Sequence, residues 1–189
     1  MEDPEEETHL STDNVTNTSA VGITSNHPSY TFSEQTLSST LQKCKEFLGI
    51  PHHSIQVIAT DEKEIQKLNK EYRKKDSITD VLSFSYTALT PKPRFGLKQN
   101  IEAAAGAQEL GDIFICMEKA TQQASEIGQS VSAEFLFLSI HGLLHVCGYD
   151  HENSEDEKVM LEQQKKVLEG LRESGCYPSH FISTKGKNV

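Results

Sequence analysis

The sequence predicts a mixed α/β fold in a single compact domain, and three stretches carry that prediction. Ser54 to Thr60 (SIQVIAT) alternates and is β-branched, as a strand is. Leu37, Leu41, Cys44 and Leu48 recur at helical spacing. Within residues 131–151 lies an apolar run of helix length that carries His141 and His145 four residues apart. The 189 residues suffice for one hydrophobic core with tails.

Taken in order, residues 1–32 are rich in Ser, Thr and Asn and short of large apolar groups. They predict a disordered tail, with Val21-Gly22-Ile23 the one run able to add an edge strand. The domain is expected over 33–180, followed by a flexible tail at 181–189. Gly49 and Pro51 end the first helix. Residues 61–74 read as an amphipathic helix with Ile65, Leu68 and Tyr72 on one face. Lys63, Lys67, Lys70 and Lys74 lie opposite and read as a solvated face. At 100° per residue, Arg73 falls on the shoulder between the two. Thr79 to Tyr86 and Leu110 to Cys116 read as strands, joined by a long Pro/Gly/Ala connection (87–109) with Lys92, Arg94 and Lys98. Residues 117–127 read as a helix punctuated by Gly128. Ser154 and Glu157 match an S-x-x-E capping box opening a last helix, with Met160, Leu161, Val167, Leu168 and Leu171 as its core face.

Formal net charge is −10, but it is unevenly placed. Six of the 28 acids and none of the 18 basic residues lie in residues 1–33, so the remainder carries 22 acids against 18 bases. Overall acidity is therefore a poor argument against a phosphate-bearing substrate. Four cysteines (Cys44, Cys116, Cys147, Cys176) without a C-x-x-C read as reduced thiols of a cytoplasmic protein. No stretch approaches the roughly 18 apolar residues of a membrane span, and the acidic start argues against a targeting peptide.

The chemistry concentrates in 141–151, HGLLHVCGYDH. His141 and His145 share one helical face, Gly148 allows the helix to stop, and His151 can then fold back towards them. Three neutral imidazoles make a Zn²⁺ site, one ion per chain, with a fourth position left for water. Such an ion polarises an oxygen and brings the pKa of bound water near 7. The spacing is also that of the metzincin peptidases, but those have Glu directly after the first His, where this chain has Gly142. A purely structural zinc site would need a fourth protein ligand. Cys147 is poorly placed to be one, pointing about 200° away from His145 on a helix. Glu155, Asp156 and Glu157 are explained by the positive N-terminus of the following helix.

HGLLHVCGYDH resembles the signature of the YbeY family, zinc-dependent endoribonucleases that mature ribosomal RNA. The resemblance extends to LNKEYRKKDSITDVLSF (68–84) and LGDIFIC (110–116). It implies a mixed α/β domain with a small mixed sheet covered by helices. It also implies a three-histidine zinc site at the end of a buried helix, with His141, His145 and His151 as ligands. Arg73, in EYRKKD, would be the catalytic cation. The implied activity is single-strand-type cleavage in 16S-type ribosomal RNA maturation and small-subunit quality control, with RNA and the small subunit as partners rather than DNA or a membrane. The family's usual Pro after LSF is Ser85 here. A guanidinium fork suits the non-bridging phosphate oxygens better than a lysine does. Asp80 and Asp112 could orient a ligand histidine, or serve only as caps or turn residues.

Overall fold

The computed structural model describes residues 20–86, 109–151 and 153–185. The basic connection (87–108, with Lys92, Arg94 and Lys98) and the acidic residues 2–13 lie outside them. The elements are β1 (Val21–Ser25), β2 (Tyr30–Phe32), α1 (Glu34–Phe47), β3 (Ser54–Thr60), α2 (Glu62–Arg73), β4 (Val81–Ser85) and β5 (Glu109–Cys116). There follow α3 (Met117–Glu126), α4 (Val131–Val146), α5 (Ser154–Glu173) and β6 (Ile182–Thr184).

The main sheet is mixed, in the order β1-β3-β5-β4. β1, β3 and β5 are parallel, and β4 runs antiparallel along the β5 edge. Alternation along these strands divides the interior. Ile55, Val57, Ala59, Ile113 and Ile115 face one way and pack with Leu37, Leu41 and Cys44 of α1, with the inner side of α4, and with Met160, Val167 and Leu171 of α5. Leu82, Phe84, Phe114 and Cys116 face the other way and are covered by Ile65 and Leu68 of α2. α4 is thus wrapped by the core, which is why its run is apolar nearly all round. No single helix among the described residues is long and apolar enough to cross a membrane.

Three sequence expectations are corrected here. The ordered domain begins before residue 33 and runs beyond 180. β1 pairs along β3, the Asn26 amide donates to the Ala59 carbonyl at 2.9 Å, and β2 pairs with β6. These strands are three to five residues long. Their order comes from backbone partners distant in the chain, which local composition does not register. The last helix is capped one residue earlier than the S-x-x-E pattern suggests. Asn153 is the N-cap, and its side chain accepts from the Glu155 and Asp156 amides, so Ser154 is already helical. Leu161 of α5 is 51% exposed, because the inward positions are Met160, Gln164, Val167 and Leu171.

Candidate metal centre

The end of α4 is built locally. The Ser130 side chain caps its start by accepting from the Ala133 amide. At its other end Gly148 adopts φ +88°. The Gly148 amide donates to the His145 carbonyl at 2.9 Å, and the Tyr149 amide to the Leu144 carbonyl at 3.0 Å. This paired closure satisfies two terminal carbonyls and requires a left-handed residue at 148. The chain therefore reverses there, and His151 arrives beside the helix it has just left.

One ring nitrogen from each of His141, His145 and His151 lies within 4.8 Å of the other two. The Nε2 atoms of His141 and His145 are 3.2 Å apart. The ring of His151, the exposed member, is 5.7 Å from that of His141 and 5.0 Å from that of His145, centroid to centroid.

The far side of each helical imidazole explains this approach. His145 Nδ1 lies 3.0 Å from the Tyr149 carbonyl, and His141 Nδ1 lies 3.3 Å from Gln164 Oε1. Gln164 donates its own amide to the Phe137 carbonyl at 3.0 Å, which turns Oε1 towards His141. Both Nδ1 atoms thus face acceptors and carry the proton, which leaves both Nε2 atoms as bare lone pairs. Two lone pairs at 3.2 Å repel unless a cation lies between them. The separation is close to the roughly 3.3 Å expected between two nitrogens on a tetrahedral Zn²⁺ with bonds of about 2.05 Å. Burial, with the neighbouring imidazoles adding to it, pushes the His145 pKa down to about 4. Burial likewise lowers that of His141. The pair is neutral at pH 7, as ligands must be. The donor set fits a metal ion.

Cys147 does not join it. The thiol is fully buried in the core, with its pKa pushed up to about 12 by that burial. Asp80 and Asp112 are engaged elsewhere. Asp80 accepts from Gln123 at 2.9 Å and from the Val81 amide at 2.8 Å, and Asp112 accepts from the Tyr86 hydroxyl. The groups that orient the two helical histidines are instead Gln164 and the Tyr149 carbonyl. Gln164 was visible in the sequence only as a polar residue among Met160, Val167 and Leu171 on the inner face of α5.

Arg73 closes α2 just before Lys74 turns left-handed at φ 61°. Its Nη2 donates to the Ser83 carbonyl at 3.0 Å. Asp80 and Tyr86 bond towards β5, through Cys116 N to Asp80 O and Tyr86 N to Leu110 O. By alternation the Ser83 peptide faces away from β5, at the edge of the sheet that pairs with no other strand among the described residues. Arg73 therefore sits exposed on that edge.

The profile of the family Endoribonuclease YbeY matches residues 22–172. The chain belongs to the YbeY family. It is 40% identical over 136 residues to the endoribonuclease YbeY of Spiroplasma citri, covering 71% of this chain and 82% of that protein. To that of Macrococcus caseolyticus it is 43% identical over 120 residues, covering 62% and 73%. A solution structure of a Thermotoga maritima protein superposes with a TM-score of 0.53 at 30% identity, over 84% of this chain and 94% of that one.

This chain's motif differs from the peptidase motif at Gly142, and the packing there bears on the difference. A Cβ built there lies 2.4 Å from Ile113 Cγ2 and 3.0 Å from Ser83 Oγ. The residue after the first histidine is pressed against the sheet, so a glutamate at 142 has no room.

Proposed function

We propose that this YbeY-family chain is a zinc-dependent endoribonuclease with His141, His145 and His151 as metal ligands and Arg73 as the catalytic residue that contacts phosphate. The observation that carries the metal assignment is the pair of bare Nε2 atoms at 3.2 Å with a third imidazole beside them. A Zn²⁺ ion held there supplies Lewis-acid chemistry and acidifies water, and three protein ligands leave one position for it. The protein's own groups do the rest. Gln164 and the Tyr149 carbonyl keep Nδ1 protonated and the rings aimed. Arg73 is tethered to β4 by one nitrogen and presents its remaining donors to the non-bridging oxygens, where charge grows during cleavage.

The related proteins bear the name endoribonuclease, and we take the substrate to be RNA. Within that class we propose ribosomal RNA of the small subunit, in the cytoplasm, as the family resemblance implies. A non-catalytic zinc-stabilised assembly factor is the less favoured reading. Such a site is normally closed by a fourth protein ligand, and among the described residues the cluster holds three.

Metal analysis of the purified protein tests this together with RNA cleavage. About one zinc per chain is expected, with cleavage lost on chelation and restored by zinc. His145→Ala should retain neither metal nor activity. Full zinc occupancy in that variant, or cleavage indifferent to chelator, would overturn the reading.

A further inference from the structure

On the sheet face opposite α4, two tyrosines stand out into solvent. Helical periodicity puts Tyr72 with Ile65 and Leu68 on the inward side of α2, yet it is 58% exposed. Tyr86, just past β4, is 56% exposed. Each is nevertheless held. The Tyr72 ring meets Phe84 edge-on, with centroids 5.0 Å apart, and Phe84 meets Phe114 in the same way at 5.8 Å. Tyr86 donates its hydroxyl to Asp112. Both tyrosines lie on the Phe84 side of the sheet: Tyr72 meets the Phe84 ring, and Tyr86 bonds Asp112, the β5 residue paired with Phe84.

Arg73 follows Tyr72 in the chain and bonds the Ser83 carbonyl, and Phe84 is the next residue on that strand. The Ser83 side chain points to the α4 side, towards Gly142, whereas Phe84 points to the Tyr72 side. The β4 edge, with the guanidinium on it, thus separates the histidine side of the sheet from the aromatic side.

Rings that are fixed yet open to solvent, beside a cation, match how unpaired nucleotides are held. Every base has a π-face to stack, and the cation answers the phosphate. A buried core pair would hide its faces, and a solvated helix surface would not carry tyrosines anchored by Phe84 and Asp112.

We propose that Tyr72 and Tyr86 form a stacking platform for the unpaired bases of a single-stranded RNA whose backbone crosses the β4 edge at Arg73. This rests on the reading of RNA as substrate, and it adds to that reading where the bases lie and why a paired strand is excluded. Bases locked in a duplex cannot offer their faces to the rings.

The test uses the full chain and 2′-O-methylated oligoadenylate, whose integrity is checked by electrophoresis after each titration, beside an abasic oligomer of equal length and charge. The chain has no tryptophan, so tyrosine emission is readable and should be quenched by the base-bearing oligomer alone. Tyr72→Ala and Tyr86→Ala should each weaken oligoadenylate binding about ten- to a hundredfold and leave abasic binding unchanged. Tyr72→Trp should restore affinity to Tyr72→Ala. With a cleavable single strand, the alanine variants should raise KM by far more than they lower kcat. Alanine variants that melt normally and bind oligoadenylate as the wild type does would overturn the platform alone. So would an equal loss on both oligomers, which would mark the rings as structural. A wild-type chain that binds neither oligomer would overturn the RNA reading and the platform together.

Discussion

Gln164 on α5 and His141 on α4 are tied at 3.3 Å, Oε1 to Nδ1, across 23 residues of chain. The amide has no freedom to turn, because its nitrogen is spent on the Phe137 carbonyl and the residue is 2% exposed. Gln164→Leu keeps the volume and removes the acceptor. His141 can then carry its proton on Nε2, the atom a metal needs. Metal affinity should fall about 10- to 100-fold while stoichiometry at saturating zinc stays at one. A competitive chelator titration measures this, and unchanged affinity would reduce Gln164 to a packing residue.

Arg73 tests the chemistry apart from the metal. Its bond to the Ser83 carbonyl is on the surface, so Arg73→Ala should cost stability no more than about 1 kcal/mol. RNA cleavage should fall by orders of magnitude, since losing one donor that stabilises transition-state charge costs about 3–4 kcal/mol. Arg73→Lys should recover little, because an ammonium cannot hold Ser83 and a phosphate with one planar fork. Wild-type cleavage rates in Arg73→Ala would remove it from the mechanism.

Gly142→Ala sets two effects against each other. Helix propensity favours alanine by about 1 kcal/mol. Against it stands a Cβ 2.4 Å from Ile113 Cγ2 in a buried position, an overpacking that costs about 1–3 kcal/mol. We expect net destabilisation. Ile113→Ala should relieve it, so the double variant should lose less than the sum of the single ones in denaturant titrations. Additivity would show that α4 shifts away from the sheet at little cost.

Lys45 gives stability a pH dependence. It lies buried in α1 with Nζ donating to Gln42 Oε1 at 2.8 Å, and burial pushes its pKa down to about 8 from 10.5. Between those values the unfolded chain holds a proton that the folded chain has released, so stability should rise with pH. Above pH 9 the buried thiols of Cys44 and Cys147, pushed up to about 12, act oppositely. The window to read is therefore pH 8 to 9. There the wild type should gain up to about 1 kcal/mol relative to Lys45→Met, by urea midpoints at each pH. Parallel pH profiles would show Lys45 already unburdened at neutral pH.

The local part of the site was legible in residue order. A four-residue spacing puts His141 and His145 on one helical face whatever surrounds them, and Gly148 marks the reversal because a left-handed residue is needed there. The strand at 54–60 and the helices at 34–47 and 62–73 follow in the same way from periodicity and from stop signals such as Gly49. Contacts between residues far apart in the chain were decided only by the tertiary structure. Which polar group faces His141 depends on how α5 lies across α4, and the order of β1, β2 and β6 on backbone partners up to 154 residues away. Tyr72 carries the periodicity of a core residue, but the sheet beneath it ends in Phe84, and among the described residues no further layer covers its outer face. Hydrophobic spacing shows which side of a helix turns inward. How far the neighbouring layer extends is set by the packing of the whole chain.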